Sequence, residues 1–387
     1  MLSFIRTFFF YSGGFLFSLI HASDFPEPNQ GIDDIRPYSS QISEGSIGDN
    51  ILSLLEEAKE EIIIASDQCT NEEFLTDLET LRKSKEGLRI EIVTGDSFHT
   101  QSLFRKEICT RVFDVPNLLP YRDIKMHNKF IIIDKSIVIT GSPNLTYAAY
   151  NYNIESFVAV TSRVLADLYY TYYQYIICGK DKYDSGTPEF QEVYRKMIAF
   201  NQLGSRVKVC LAPILSIKDF VNQSLFEAHI IRINMFLISR GRDLDTDIVS
   251  TLMERASDQA RITIKIDEEQ CEKQDFVKMA LEDLRGAGAT IYTVKKDAER
   301  KQTKTRLINT KPQFHDKLVL IEAEEGIKRL FIGSAGFTDN VQDNSNLENM
   351  LLIQDDSTYD FFESHYNVIN EGASGLQVKR LFEVEGN

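Results

Sequence analysis

Two stretches of the sequence combine histidine and lysine in a pattern suited to phosphoryl chemistry. HNKFIIIDKSIVITGSPNLT occupies residues 127–146, and HDKLVLIEAEEGIKRLFIGSAGFT occupies residues 315–338. Each opens with His-x-Lys, continues into an apolar run, carries an acid seven residues after the histidine and then reaches Gly-Ser. An imidazole can attack or protonate a reacting group, and a lysine neutralises anionic oxygens. The two stretches therefore predict a site that holds a tetrahedral phosphate.

The first stretch supplies several groups that could hold the phosphate. Period-two strand geometry places His127 and Lys129 on one face of a sheet. A turn predicted at Gly141 and Ser142 would return a hydroxyl to that neighbourhood, and Asn144 adds an amide. We predict that Ser142 and Asn144 bind phosphate oxygens. The second stretch offers a histidine, a lysine and a serine in corresponding places (His315, Lys317 and Ser334).

Two such half-sites facing each other would bracket one phosphorus atom. One imidazole attacks phosphorus, and the other protonates the leaving oxygen and then takes a proton from the incoming water or alcohol. Each histidine needs a partner on its other ring nitrogen. Residues 151–160 (NYNIESFVAV) and 344–353 (NSNLENMLLI) share Asn-x-Asn-x-Glu before an apolar run, so Glu155 and Glu348 are the predicted catalytic carboxylates.

The other positions that recur in both stretches are predicted to have structural roles. Asp134 and Glu322 would lie at the far ends of their strands, where each holds a turn by hydrogen bonding. Gly141 and Gly333 complete the Gly-Ser pairs. The remaining histidines have no comparable context and are predicted to be structural (His99, His229 and His365).

The elements around these residues form an internal repeat. Residues 49–66 and 218–239 each predict an amphipathic helix followed by a buried strand, and LRIEIVTGD and ATIYTVKKD predict further strands. Each half closes with an aromatic-rich helix whose rings are expected to pack on the sheet. Alternating strands and helices favour an α/β sandwich. We predict a polar linker and first strand over 23–48, a first lobe over 49–190 and a second over 191–387.

Composition limits the partners of the chain. Its 387 residues are 43% hydrophobic, enough for two cores, and its formal net charge is −15. An acidic chain lacks the global field that gathers nucleic acid, although a local basic groove could exist within it. The five cysteines show no zinc-ligand spacing, so no metal is predicted.

The amino terminus is predicted to be a targeting segment. Residues 1–22 contain Arg6, a short apolar run and a small residue, Ala22, before polar sequence. The run is short for a bilayer span and suits a signal peptide, with an uncleaved membrane anchor as the alternative. Either assignment predicts an exported protein that is periplasmic, secreted or membrane-associated.

These residues resemble the signature of the phospholipase D superfamily, H-x-K-x4-D followed by G-S-x-N. The first stretch matches it fully (His127, Lys129, Asp134, Gly141, Ser142 and Asn144). The resemblance implies a duplicated fold of two α-β-α sandwich lobes with the active site at their interface. It also implies catalysis without a metal or cofactor through a phosphohistidine, with His127 as nucleophile and His315 as general acid.

The second stretch departs from that signature in three ways. Glu322 replaces the aspartate, and four extra residues separate it from Gly333, which predicts a hairpin around residues 324–326. Gly336 stands where Asn144 stands in the first stretch. The lost amide predicts a phosphate site that is not fully symmetric.

The resemblance leaves several substrates open. The favoured one is a glycerophospholipid such as phosphatidylcholine, hydrolysed to phosphatidic acid by a monomer with two lobes that acts at a membrane surface. Alternatives are a phosphatidyltransferase of the cardiolipin or phosphatidylserine synthase type, an exported nuclease, and an inactive effector. Aromatic residues near the two motifs could line an apolar opening, although core packing explains them as well (Tyr147, Tyr150, Tyr152 and Phe337).

Overall fold

The computed structural model describes residues 31–95, 111–114, 125–178, 185–297, 300–302, 307–309, 312–370 and 375–381. Within these ranges it shows the predicted α/β fold, with two large sheets and helices packed on them. The predicted targeting segment at 1–22 lies outside the described residues, as does His99. No helix within the described ranges has the length and apolar character needed to cross a bilayer.

The first lobe is built on a seven-stranded sheet. Its strands are β1 (Asp34–Ser39), β2 (Glu61–Ser66), β3 (Arg89–Thr94), β4 (Arg111–Asp114), β6 (Lys129–Ile133), β7 (Ile137–Gly141) and β8 (Ser156–Thr161). Its helices are α1 (Ile47–Leu55), α2 (Glu72–Ser84), α3 (Tyr147–Asn151) and α4 (Arg163–Ile177). The strand order is β1-β8-β7-β6-β2-β3-β4.

The second lobe repeats this plan. Its strands are β9 (Val207–Ala212), β10 (Ala228–Met235), β11 (Arg261–Asp267), β12 (Thr290–Lys296), β15 (Lys317–Ala323), β16 (Lys328–Gly333), β17 (Asn346–Ile353) and β18 (Leu376–Arg380). A separate hairpin consists of β13 (Arg300–Gln302) and β14 (Leu307–Asn309). The helices are α5 (Pro188–Gln202), α6 (Ile217–Leu225), α7 (Ile248–Ser257), α8 (Glu268–Lys273), α9 (Asp275–Gly286), α10 (Asp339–Gln342) and α11 (Asp356–Asn370).

The second sheet has the order β18-β12-β11-β10-β15-β16-β17, and β9 pairs with β17. A short strand from the first half, β5 (Lys125–Met126), also pairs with β17. By position in the sheet, β11 is the counterpart of β3. The strands predicted at β3 and β12 are present, whereas β11 was not predicted. The predicted division between residues 190 and 191 falls inside α5.

Three large cores divide the molecule into α-β-α-β-α layers. One core contains side chains of both sheets together with α4, α5 and α11. A second lies between the first sheet and helices α1 and α2, and a third joins the second sheet to α6, α7 and α9. Four tyrosines of α4 are almost fully buried in the shared core, so the prediction that these rings pack on the sheet is confirmed (Tyr169, Tyr172, Tyr173 and Tyr175).

The hairpins that follow the two motif strands differ. Between β6 and β7, Asp134 and Lys135 both have positive φ, which is typical of a type I′ turn, and the N–H of Ser136 donates to the oxygen of Ile133 at 2.9 Å. The Asp134 carboxylate accepts hydrogen bonds from three consecutive backbone N–H groups, at residues 59–61. The predicted longer hairpin is present between β15 and β16, with a short 3-10 turn at Glu324–Gly326.

Glu322 does not hold a turn as predicted. Its carboxylate pairs with Arg232 at 2.6 Å on the neighbouring strand β10, and the Tyr359 hydroxyl lies 3.4 Å away. The longer hairpin leaves Glu322 in the strand, opposite Ile230 of β10, rather than at a turn.

Gly141 and Gly333 end β7 and β16, so Gly141 belongs to a strand rather than to the turn predicted at Gly141 and Ser142. A Cβ at Gly141 would lie 2.3 Å from the backbone oxygen of Ser156, and a Cβ at Gly333 would lie 2.3 Å from that of Asn349. Each glycine therefore allows its strand to approach the neighbouring strand closely. Glu155 immediately precedes that neighbouring strand in the first lobe, and Glu348 lies within it in the second.

Candidate active site

Backbone hydrogen bonds between the lobes bring the two His-x-Lys motifs together. The N–H of His127 donates to the oxygen of Leu347 at 3.0 Å, and the N–H of His315 donates to the oxygen of Ile154 at 3.0 Å. Each motif is therefore hydrogen-bonded to the Asn-x-Asn-x-Glu segment of the other lobe. Side chains add to this, because Ser156 donates to Asp316 between the histidine and lysine of the second motif.

Each predicted carboxylate contacts the histidine of the opposite lobe. Glu348 contacts Nδ1 of His127 at 2.7 Å, and Glu155 contacts Nδ1 of His315 at 3.0 Å. Both glutamates are 0% exposed. Because a carboxylate accepts, each Nδ1 donates, and this places the ring lone pair on Nε2, which in His315 lies 3.2 Å from Nζ of Lys317. Each histidine therefore depends on a residue of the opposite lobe.

The serines predicted to bind phosphate contact these carboxylates instead. Ser142 donates to Glu155 at 2.5 Å, and Ser334 donates to Glu348 at 2.6 Å. Both serines are fully buried. Their hydroxyl hydrogens are used within the protein, so this geometry corrects the predicted phosphate contact: Ser142 and Ser334 position the glutamates.

The amides of the Asn-x-Asn-x-Glu segments complete the same arrangement. Asn153 donates to Glu155 at 3.0 Å, and Asn346 donates to Glu348 at 3.2 Å. Asn144, by contrast, is half-buried, and its amide oxygen has no hydrogen-bond partner among the described residues. Unlike Ser142 and Ser334, Asn144 makes no hydrogen bond to a carboxylate among the described residues. Asn144 therefore remains a predicted phosphate contact.

Two buried lysines supply the positive charge of the site. Nζ of Lys129 donates to the backbone oxygen of His127 at 3.0 Å, and Nζ of Lys317 donates to that of His315 at 3.1 Å. Burial, with the charge of Lys129, lowers the pKa of Lys317 to about 7. Burial also lowers the pKa of Lys129. Two ammonium groups that repel each other in a buried site favour an anion between them.

Burial controls the other titrating groups as well. It lowers the pKa of His127 well below its ordinary value and also lowers that of His315, and lysine charges add to both shifts. Burial raises the pKa of Glu348 to about 7, with Lys129 opposing it. The described residues contain no cluster of three or more histidine, cysteine or acidic side chains that could hold a metal ion.

The aromatic residues near the motifs do not form the apolar opening that was considered. Tyr150 packs edge-on against Phe74 at 5.2 Å between ring centroids, and Phe337 is fully buried in the second-lobe core. Tyr152 is also buried. Of this group, Tyr147 keeps partial exposure.

The prediction that His365 is structural is confirmed. Its ring contacts Ser39 through Nδ1 and Asp316 through Nε2, both at 2.9 Å. The residue types resemble a Ser-His-Asp triad, but all three are 0% exposed. The chain of contacts instead ties the residue between His315 and Lys317 to strand β1. The corresponding Asn128 of the first motif donates to the Tyr172 hydroxyl at 3.1 Å.

The sequence reading missed two residues that face the histidines. Asp67 and Phe236 follow β2 and β10, and the N–H of each donates to the middle residue of its own lobe's His-x-Lys motif. Asp67 Oδ2 lies 3.9 Å from Nε2 of His127. The Phe236 ring lies 4.8 Å from the His315 ring, between centroids. Their positions directly after buried strands were the available sequence signal, because binding sites in α/β folds lie at the carboxyl ends of strands.

The duplicated α/β fold and the two His-x-Lys motifs agree with the resemblance to the phospholipase D superfamily. The family model described as "Cardiolipin synthase, PLD-like domain" matches residues 51–177 and 221–369. The chain therefore belongs to this PLD-like family. A comparison with curated proteins finds no match.

Solved structures share the fold at low sequence identity. Phosphatidylserine synthase from Haemophilus influenzae Rd KW20 has a TM-score of 0.59 and 12% identity, over 91% of this chain and 88% of that one. Polyphosphate kinase from Porphyromonas gingivalis also has a TM-score of 0.59 and 12% identity, over 93% of this chain and 50% of that one. At this identity the likeness concerns the fold alone.

Proposed function

We propose that the protein is an enzyme that cleaves a phosphodiester bond of glycerophospholipids through a phosphohistidine. The observation that carries this proposal is the crossed pairing of His127 with Glu348 and of His315 with Glu155. Two buried lysines lie beside these pairs, so the arrangement supplies a nucleophile, an acid and charge neutralisation for one phosphate.

The proposed reaction has two steps. In the first, Nε2 of one histidine forms a bond to phosphorus while the bond from phosphorus to the alcohol oxygen breaks, and the other histidine gives that oxygen its proton. In the second, water or another alcohol gives a proton to this second histidine and attacks phosphorus, and the phosphorus–nitrogen bond breaks. Lys129 and Lys317 neutralise the phosphate oxygens throughout. Glu155 and Glu348 stabilise the positive charge on the rings.

We favour hydrolysis, with phosphatidylcholine or a similar lipid giving phosphatidic acid and the headgroup alcohol. The acidic net charge of −15 and the predicted export of the chain support a lipid rather than a nucleic-acid substrate. The same half-reaction followed by an alcohol instead of water would make the protein a phosphatidyltransferase. The description of the matched family as cardiolipin synthase favours this second candidate.

Product analysis separates these candidates. The full chain is incubated with vesicles of phosphatidylcholine, phosphatidylethanolamine and phosphatidylglycerol, with and without 1-butanol, and separately with single-stranded DNA. We expect phosphatidic acid in water and activity that persists in EDTA. Cardiolipin formed from phosphatidylglycerol, or phosphatidylbutanol formed without phosphatidic acid, would identify a transferase. Consumption of DNA with intact lipids, or no turnover of either, would contradict the lipid proposal.

We also propose that the protein is exported and acts at a membrane surface as a monomer. The apolar run within residues 1–22 supports export, and the presence of both His-x-Lys motifs in one chain supports a monomer. Amino-terminal sequencing of the protein recovered from its cell fractions tests this, with cleavage close to Ala22 expected. An uncut protein found only in the cytosolic fraction would contradict it.

A further inference from the structure

The middle residue of the second His-x-Lys motif is a buried carboxylate with donors from three elements. Asp316 is 0% exposed, and its carboxylate accepts from the Ser156 hydroxyl of β8 and from the Asn234 amide of β10 at 3.0 Å. A third donor is Nε2 of His365 in α11, at 2.9 Å. Burial acts to raise the pKa of Asp316, but these donors, His365 foremost, hold that pKa below its ordinary value. Asp316 is therefore an ionised group that joins the two lobes.

The hydrogen-bond partners of His365 show which of its ring nitrogens donates. The Ser39 hydroxyl oxygen accepts from the backbone N–H of Gln41 at 3.1 Å and of Ile42 at 3.3 Å. Both lone pairs of that oxygen are then in use, so its hydrogen points to Nδ1 of His365, which lies 2.9 Å away. Nδ1 therefore accepts, and Nε2 carries the hydrogen that is donated to Asp316.

The same ring is also connected to the carboxylate that contacts His315. Ser40 follows the serine that bonds His365, and its hydroxyl accepts from the backbone N–H of Glu155 at 3.1 Å. The N–H of Ser40 donates to the backbone oxygen of Glu155 at 3.0 Å. His365 thus reaches the His315–Glu155 contact from both sides, through Asp316 next to the histidine and through the end of β1 next to the glutamate.

The first half-site has neutral groups in the corresponding places. The sequence offset that relates Glu155 to Glu348 also relates Tyr172 to His365, and each of the latter two is the tenth residue of its helix, α4 or α11. The Asn128 amide donates to the Tyr172 hydroxyl at 3.1 Å, and this hydroxyl donates to a backbone oxygen of β9 at 2.5 Å. An amide and a phenol therefore stand where the second half-site has a carboxylate and an imidazole.

We propose that Asp316 and His365 are positioning residues, which hold His315 against Glu155 across the lobe interface. Neither residue touches a substrate, because both are 0% exposed. Without the His365 donor, Asp316 is a buried charge that lacks one of its hydrogen bonds and moves toward its other donors. Because Asp316 is bonded covalently to His315, that movement turns the imidazole away from Glu155. The consequence for turnover rests on the proposed function.

The first test follows the two motif imidazoles by nitrogen NMR of the full chain. His365→Met removes the donor to Asp316, and it is expected to shift the His315 resonances while those of His127 stay close to wild type. The mirror variant Tyr172→Phe is expected to do the reverse. Asp316→Asn combined with His365→Tyr copies the pair of the first half-site, so its His315 resonances are expected to lie closer to wild type than those of Asp316→Asn alone.

Unchanged His315 resonances in folded His365→Met would overturn the proposal, and so would a shift no larger than that of His127. If His365→Met does not fold, the double variant decides, because His315 resonances displaced as far as in Asp316→Asn alone would equally overturn it. NMR requires no turnover, so this result is independent of the proposed function.

The second test separates positioning from stability, with kcat and KM measured on phosphatidylcholine vesicles. His365→Met is expected to lower kcat about 10-fold or more and to leave KM within about 2-fold, because misplacing a reacting group slows the reaction rather than binding. His365→Gln keeps a donor for Asp316 and an acceptor for Ser39, so it should recover most of kcat. Exposed Ser364→Ala, on the same helix, is the matched control and should behave as wild type.

The two failures of this second test have different meanings. A His365→Met variant that melts at a lower temperature but keeps the wild-type kcat would show that the pair only stabilises the fold, and this would overturn the proposal. No turnover of any phospholipid by the wild type would contradict the proposed function, and the NMR shifts would still decide the positioning role.

Discussion

The half-site around His127 and the half-site around His315 have the same scaffold and different surroundings. Each has a glutamate from the opposite lobe on Nδ1, and that glutamate accepts from a serine and an asparagine of its own lobe. Glycine allows the close strand approach in both halves. The groups that orient the imidazoles are therefore the part of the repeat that the two lobes hold in common.

Other positions of the repeat differ between the halves. Asp67 in the first lobe corresponds to Phe236 in the second, and Asn144 corresponds to Gly336. This difference teaches that a duplicated scaffold can keep its two histidines equally well oriented and still give them unequal tasks. In a phosphodiester reaction the two tasks are attack on phosphorus and protonation of the leaving oxygen.

The largest expected effect is the loss of either histidine. His127→Ala and His315→Ala should each lower turnover of a phospholipid by about 10³-fold or more, because acid–base and nucleophilic roles do not replace one another. Steady-state rates measure this, and thermal melting should show that both variants stay folded. A variant that retains turnover would show that only one half-site does chemistry.

The crossed carboxylates should give the next largest effect. Glu348→Gln is expected to lower turnover by roughly 10²-fold through His127, and Glu155→Gln by a similar factor through His315. Nitrogen NMR of the imidazoles separates the two cases, because Glu348→Gln should shift the His127 resonances and leave those of His315 much closer to wild type. The reverse pattern would mean that each glutamate serves its own lobe.

Substitution of the two glycines at which neighbouring strands approach closely is expected to lower the stability of the fold. Gly141→Ala and Gly333→Ala each place a Cβ 2.3 Å from a backbone oxygen, and this should cost about 1–3 kcal/mol of unfolding free energy. Chemical denaturation measures the cost. Gly186→Ala is the matched control, because a Cβ there meets nothing within 4 Å. Equal stability of all three variants would contradict the close approach.

The smallest expected effect on stability comes from Lys317→Met. The pKa of Lys317 is lowered to about 7 from 10.5, so below pH 7 its buried ammonium destabilises the fold. That penalty disappears as the pH rises from 7 to 10.5, where only the unfolded chain binds the proton. The variant should lose activity but melt about 2 °C higher or more near pH 6, with the gain shrinking toward pH 10. Exposed Lys278→Met is the control, and a lower melting temperature for Lys317→Met at pH 6 would contradict the penalty.

Much of the fold could be predicted from the sequence because the repeat was visible in it. His-x-Lys, Gly-Ser and Asn-x-Asn-x-Glu recur in the same order, and apolar periodicity located most strands and helices around them. These patterns are local, so they identified the residue types of the site. The type I′ turn after β6 was also readable as a turn, because its polar residues interrupt two apolar runs.

The features of the site that could not be predicted depend on contacts between distant parts of the chain. Which glutamate serves which histidine is fixed by the packing of one lobe on the other, and no local pattern encodes it. Ser142 was misassigned because its hydroxyl direction depends on Glu155, which immediately precedes the adjacent strand. Asp67 was missed because an aspartate after a buried strand is common, and its meaning comes only from its distance to His127.

The most direct test of the account is a crystal structure of the full chain with orthovanadate, a mimic of phosphorus undergoing attack. The account predicts one oxyanion within reach of Nε2 of both His127 and His315, with its oxygens near Nζ of Lys129 and Lys317. An oxyanion bound to one histidine alone, in a pocket that the other cannot reach, would contradict it.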